Sequence, residues 1–404
     1  MKILFVNERP FNPVLGGIER VTDILTKTLI AKGNYSIYYL CGKVKEGEEY
    51  FFDYKFPAEL YVLPECGLFK NKVNLDYYDN LLEKLGIEIV VNQRGLNGGF
   101  NRMLTIGTVS KISVLHSKPN SLIDHVIARI LLFSKERKEQ IKKTLKTILY
   151  PFFYIRAQIK TRIYLRKVYK ELISLSDAVV LLSENDINEF LSNGIYHNDK
   201  IICGIPNPNT FSEYESCSLD DKEKKILYIG RFDQFEKNVL CLVRIWERIH
   251  RKHLDWKLVL VGDGPDKNRI IDYIEKKHIK NIELEGTQTD VASYYKKASF
   301  VCLTSFYEGW GMTLTEGMSF ACIPFTFNNY GASYDIIDDG INGCLIPAFD
   351  EIIYAKRLEE LMNDEIKRKK MAASAVEKVK MFSIEKIIPK WEMLFAKLLN
   401  DKSL

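Results

Sequence analysis

Residues Ser305-Phe306-Tyr307-Glu308-Gly309-Trp310-Gly311-Met312-Thr313-Leu314-Thr315-Glu316 decide how this chain is read. The apolar run 300–304 before them predicts a buried strand, two glycines mark a turn, and a helix is expected over 312–320. A strand that passes through a glycine turn into a helix is the repeating unit of a parallel sheet covered by helices. At such a helix start, free backbone N–H groups and the positive end of the helix dipole suit an anion such as a diphosphate. Glu308 lies before the helix and Glu316 about one turn inside it, so both can reach one bound ligand and accept hydrogen bonds from its hydroxyls. A surface turn with one capping and one solvated glutamate is the plain alternative.

The same unit recurs on both sides of this stretch. Strands are expected at 2–7, 36–41, 87–92, 110–116 and 178–183, with helices at 18–32 and 185–193 and a long basic helical region over 121–175. Residues 204–225 break the rhythm: Gly204-Ile205-Pro206-Asn207-Pro208 cannot be helix, and a polar, charged run follows, so the interdomain linker is placed there. The cycle restarts with strands at 225–229, 257–261, 282–285, 300–304 and 322–326, helices at 238–250, 266–277 and 291–297, and helix after 350. With 404 residues, 46% of them apolar and 27% charged, the chain exceeds one ordinary core, so two globular domains are expected.

Open parallel sheets bind ligands at the carboxyl ends of their strands, and three more strand-end loops carry suitable groups. Gly230-Arg231-Phe232-Asp233-Gln234-Phe235-Glu236-Lys237-Asn238 sets Arg231 and Lys237 on one loop, where two cations would stabilise a departing diphosphate without a metal. Gly16-Gly17-Ile18-Glu19-Arg20 follows the first strand, and its glycines let backbone N–H groups approach an anion. His116 is the one histidine of six expected at a strand's carboxyl end, whereas His250 and His253 read as solvated. Loop residues Thr287-Gln288-Thr289 could meet a base. No Asp-x-Asp occurs, which favours metal-independent chemistry with no obligatory cofactor.

The eight cysteines, Cys41, Cys66, Cys203, Cys217, Cys241, Cys302, Cys322 and Cys344, form no C-x-x-C pair and read as buried reduced thiols of a cytoplasmic protein. The opening apolar run is too short for a signal-peptide core, and no run is long enough to span a membrane. Net charge is +5, yet residues 129–170 alone hold thirteen Lys or Arg against two Glu, interleaved with Phe, Tyr, Ile and Leu. That mixture suits an interfacial helix on an anionic membrane surface, while no recognition motif accompanies it that would point to nucleic acid.

Together these segments resemble glycosyltransferase family 4 of the GT-B fold: α/β, with two Rossmann-like domains whose parallel sheets face a central cleft. Glu308 and Glu316 look like the family's E-x7-E pattern, Gly230-Arg231 with Lys237 its G-R-x5-K segment, Gly16 to Arg20 its glycine loop, and Asp339-Gly340-Ile341-Asn342-Gly343 a stretch near the end of its second domain. The resemblance implies an acceptor domain over 1–205, a nucleotide-sugar donor domain over 206–383, and a helix over 384–404 crossing back to the first. It implies Glu308 on the donor sugar, Glu316 on the ribose, Arg231 and Lys237 on the diphosphate, and main-chain groups of Gly311, Met312, Thr313 and Leu314 on phosphates and sugar. Gly16 and Gly17 would close on the diphosphate, and His116 would sit near the transferring sugar. Trp310 and Met312 depart from the smaller residues common there, so donor preference does not carry over. The expected activity is retaining transfer of a hexosyl unit, from UDP-hexose or a similar nucleotide sugar, to a cell-surface glycan or lipid-linked acceptor. It would take place at the inner face of the cell membrane. The alternative is an inactive scaffold of the same fold that binds nucleotide sugar or membrane.

Overall fold

Ile3, Leu4, Phe5 and Val6 are all 0–1% exposed, so the strand Lys2–Asn7 has no solvated face, as a parallel strand covered on both sides requires. A computed structural model describes residues 1–44, 47–48, 52–128, 146–193, 200–211 and 219–400, with the backbone alone over 146–154. The chain forms two compact units. One comprises Met1–Pro119, Arg162–Thr210 and Phe382–Leu404, the other Asn120–Thr161 and Phe211–Met381.

Among the described residues the first unit carries seven strands: β1 (Lys2–Asn7), β2 (Ser36–Cys41), β3 (Glu59–Val62), β4 (Ile89–Asn92), β5 (Ser110–Leu115), β6 (Ala178–Leu181) and β7 (Ile201–Gly204). Their order is β3-β2-β1-β4-β5-β6-β7, and every pairing is parallel. The chain winds outward from β1 to β3 and then resumes on the other side of β1. The switch point of the sheet, where a doubly wound fold opens a crevice, therefore lies between β1 and β4. Helix Gly17–Ala31 buries Val21, Leu25 and Leu29 at helical spacing. Helix Ile384–Asn400 belongs to the same unit, burying Trp391, Leu394, Phe395 and Leu398. Phe395 meets the Tyr35 ring, and Glu392 pairs with Lys32 at 2.7 Å.

The second unit carries β8 (Glu223–Ile229), β9 (Lys257–Val261), β10 (Ile282–Gly286), β11 (Ala298–Cys302), β12 (Ile323–Phe327) and β13 (Cys344–Ile346), again all parallel, in the order β10-β9-β8-β11-β12-β13. Its switch point lies between β8 and β11. The ends of β8 and β9 meet closely: a Cβ at Gly262 (φ +138) would stand 2.0 Å from the Gly230 carbonyl oxygen, so only glycine fits there.

Several sequence expectations need correction. The linker placed at 204–225 is bounded by strand at both ends, because Gly204 closes β7 and Glu223 opens β8. β3, β7, β13 and helix Lys72–Leu85 carry weak patterns: β3 is half-buried, β13 has three residues, and half of the helix is polar around Tyr78, Leu81 and Leu82. His250 and His253 are buried, not solvated, because His250 packs on the Trp246 ring and His253 on Glu359. Cys66 is exposed and Cys203 half-buried; the other described cysteines are buried and all are free thiols. Cys217 lies outside the described residues.

Of the basic segment 129–170, residues 129–145 and the side chains of 146–154 lie outside the described residues. The rest belongs to helix Lys146–Leu175. There Ile155, Ile159, Ile163 and Tyr164 are 50–65% exposed, among exposed Arg156, Lys160, Arg162, Arg166 and Lys167. Among the described residues no helix is long and apolar enough to cross a membrane.

Candidate active site

In the second unit, the loop after β8 and the loop after β11 stand side by side at the switch point. The first runs through Arg231 and Lys237 to Asn238, whose left-handed conformation (φ 50) starts helix Val239–Ile249. The second carries Ser305 and Glu308 and ends at Gly311, also left-handed (φ 84), before helix Met312–Ser319. The left-handed backbone at Gly311 favours glycine, and a Cβ there would crowd the Tyr330 hydroxyl at 3.0 Å.

These loops bring Lys237 and Glu308 together. Lys237 Nζ donates to both Glu308 oxygens at 3.0 Å, and Ser305 Oγ donates to Oε1 at 2.6 Å. Glu236 bridges the two cations: its Oε2 accepts from Arg231 at 2.9 Å, and its Oε1 lies 3.0 Å from Lys237 Nζ. Asp233 Oδ2 is a further 3.0 Å partner of Arg231. Burial works to lower the Lys237 pKa, but the Glu308 and Glu236 carboxylates outweigh it and hold the ammonium charged well above its usual range. For Glu236 burial works upward, and Lys237 and Arg231 outweigh it, so the carboxyl stays below its usual value.

Glu316 stands apart from this cluster. It is 2% exposed and accepts a 3.0 Å bond from the Tyr295 hydroxyl. At the start of helix Met312–Ser319 the Leu314 N–H donates to the Gly311 carbonyl (2.9 Å), so the first turn presents Met312 and Thr313 as its leading residues. Gln288 lies on an exposed loop and donates to the Glu285 carbonyl.

The first unit has its own strand-end cluster. Gly16 precedes helix Gly17–Ala31, and Glu19 in that helix's first turn is 4% exposed. Asn7, closing β1, donates to Glu19 (2.9 Å) and accepts from Arg94 Nε (2.9 Å), which follows β4; Arg94 Nη2 lies 3.8 Å from Glu19. His116, just after β5, bonds through Nε2 to Gln93 Oε1 at 2.5 Å. The carbonyl accepts, so Nε2 carries the proton and Nδ1 keeps its lone pair. Burial, then the Arg94 guanidinium, push the His116 pKa down to about 3, so the ring is neutral at physiological pH.

Arg231, Lys237 and Glu308 thus share one cluster in the second unit, with Glu316 buried apart from it on Tyr295, while Gly16, Gly17 and His116 belong to the first. Glu236, Asp233 and Ser305, which contact Arg231, Lys237 or Glu308, and Gln93 and Arg94, on the His116 side, were not singled out in the sequence. Glu236 lies inside the quoted loop next to Lys237, and Arg94 follows a predicted strand, so position pointed to both, but neither charge is distinctive alone. Among the described residues no three His, Cys, Asp or Glu side chains stand together as a metal would need.

Residues 212–378 match the family model of glycosyl transferases group 1. Over 195 residues the chain is 33% identical to a GalNAc-alpha-(1->4)-GalNAc-alpha-(1->3)-diNAcBac-PP-undecaprenol alpha-1,4-N-acetyl-D-galactosaminyltransferase of Campylobacter jejuni, spanning 48% of this chain and 54% of that one. It is 26% identical over 231 residues to the amylovoran biosynthesis glycosyltransferase AmsD of Erwinia amylovora, spanning 56% and 64%. The chain therefore spans about half to two thirds of the length of these relatives. A solved structure of a mutant TarM of S. aureus, in complex with fondaparinux, alpha-GlcNAc-glycerol and UDP, superposes with a TM-score of 0.72 at 16% identity, covering 98% of this chain and 99% of that one. That likeness shows the GT-B fold.

Proposed function

We propose that this chain, whose residues 212–378 belong to the glycosyl transferases group 1, moves a hexosyl unit from a nucleotide sugar to a glycan or lipid-linked acceptor. The observation that carries this reading is the Arg231–Glu236–Lys237–Glu308 cluster at the switch point of the second sheet. Two cations on one loop suit the diphosphate, as its negative charge grows while the sugar departs. Arg231 offers several N–H donors in a fixed fork, and Lys237 a compact charge.

Glu308 is read as a positioning and stabilising group. Lys237 binds both of its oxygens and Ser305 one of them, which lowers its power as a nucleophile. This supports retention without a covalent glycosyl-enzyme, the acceptor attacking the face from which the diphosphate leaves. Glu316 would take the ribose, and the main chain at Gly311, Met312, Thr313 and Leu314 the phosphates and sugar. Gly16 and Gly17 would close on the diphosphate. Neutral His116, its Nε2–H held by Gln93, would present its remaining edge to the sugar. UDP is the favoured nucleotide, since UDP is bound in the TarM structure, and no metal is needed where Arg231 and Lys237 supply the positive charge.

A lipid-linked acceptor is favoured by the relative acting on a PP-undecaprenol glycan. The exposed stripe of Ile155, Ile159 and Ile163, spaced four apart and set among cations, supports peripheral attachment to the inner face of the cell membrane. The testing experiment is a thermal-shift screen against UDP, GDP, ADP and CMP and their sugars, with and without EDTA. A ligand that binds the folded state raises Tm. A shift with UDP compounds that survives EDTA and is lost in Arg231→Ala is expected; no shift with any nucleotide at millimolar concentration would overturn the reading and leave an inactive scaffold.

A further inference from the structure

The reading of the Arg231–Lys237 loop as the diphosphate site carries an electrostatic difficulty. Arg231 and Lys237 face Asp233, Glu236 and Glu308, so two cations stand against three carboxylates. The cluster is net negative before a diphosphate, itself an anion, approaches. One carboxylate has to yield, and the contacts differ in which can.

Asp233 is tied to its own turn, with Oδ1 accepting from the Phe235 and Glu236 N–H groups at 2.9 and 3.2 Å. Glu308 is tied to Ser305 as well as Lys237, and its side chain is 11% exposed. Among the described residues the Glu236 carboxylate has only the two cations as partners, one oxygen to each, and its side chain is 28% exposed. Rotation about its flexible, partly exposed side chain withdraws one carboxylate from both cations at once, leaving Arg231 with Asp233 and Lys237 with Glu308.

Resting on the diphosphate reading of this loop, we propose that Glu236 is a built-in counter-anion. It occupies the N–H donors of Arg231 and Lys237 until a nucleoside diphosphate group displaces it, and so sets the affinity for donor and for released nucleotide. The two oxygens of one carboxylate stand in for two phosphoryl oxygens, so carboxylate and diphosphate compete for the same donors. The device keeps two neighbouring cations from repelling each other and loosens the grip on the departing product. Its low pKa keeps the competitor charged at neutral pH.

The test is isothermal titration of the full chain with UDP and with inorganic pyrophosphate, comparing wild type, Glu236→Gln, Glu236→Ala and Arg231→Ala. Removing the competitor is expected to tighten both ligands by roughly tenfold, the scale of one charge-assisted contact. The UDP inhibition constant should fall by the same factor. A residue that merely shaped the loop would weaken binding when replaced. Unchanged or weaker binding in both Glu236 variants, with wild-type binding that Arg231→Ala abolishes, would overturn the counter-anion and leave the diphosphate reading standing. No wild-type binding of either ligand would overturn both.

Discussion

Lys237 holds two carboxylates, so its replacement has two separable consequences. On the proposed reading, Lys237→Met removes one stabiliser of the departing diphosphate and should lower kcat by about 10²–10³-fold, the range for loss of one preorganised donor, measured by steady-state release of nucleotide. It also leaves Glu308 and Glu236 short of a partner. The stability loss should fall at or below the low end of the roughly 3–5 kcal/mol known for broken buried pairs, since Lys237 is 21% exposed, read from urea unfolding. At His116 the sign runs the other way from a paired histidine. Its pKa falls from 6.5 to about 3 on folding, through burial first and Arg94 second. Between these values the unfolded chain binds a proton that the folded chain refuses. Folding stability is therefore complete above about pH 6.5 and is lost as pH falls toward 3. His116→Gln should flatten that slope, seen in urea midpoints at pH 7, 5 and 4. Residue types at the site were legible where geometry follows from spacing, as for Arg231, Lys237 and Glu308. The pairing of Glu316 with Tyr295 was not, because Tyr295 lies 21 residues away on a helix of its own and joins it only through the packing of the second unit.

The elements that position the site were read most surely where an apolar run meets a glycine turn. β1, β2 and β9 begin and end as the pattern predicts, and helix Met312–Ser319 differs by one residue. β3, β7 and β13 escaped because short or half-buried edge strands show no strong alternation. Gly262 shows what sits behind such a turn. Gly286 has positive φ but open space around it, so Gly286→Ala should cost only the backbone penalty of about 1–2 kcal/mol. Gly262→Ala should cost clearly more, because its Cβ would meet the Gly230 carbonyl and push apart the loops that carry Arg231. Chemical denaturation of the two variants checks the ranking. On helix Lys146–Leu175, Ile159→Glu should reduce flotation with anionic vesicles at low salt and leave UDP affinity unchanged. Equal flotation of variant and wild type would sink the membrane role of that stripe.

At the scale of the molecule, the parallel pairing in both sheets follows from alternating strands and helices, whereas the doubly wound strand order is a finding of the structure, with which the GT-B likeness over 98% of the chain agrees. Sequence periodicity does not report which segments group together. Residues 120–161 lie between strands of the first sheet yet group with the second unit, through contacts such as that of His125 with Phe235 and Tyr307. The central claim is that the paired cations and Glu308 serve transfer of a sugar from a nucleoside diphosphate. Its most direct test is hydrolytic release of UDP from a panel of UDP-hexoses by the purified chain, water taking the hexosyl unit in place of the acceptor, with wild type beside Lys237→Met. Release by wild type from at least one donor, falling by about 10²-fold or more in the variant, is the predicted result. Release that is equal in the two chains would contradict the claim.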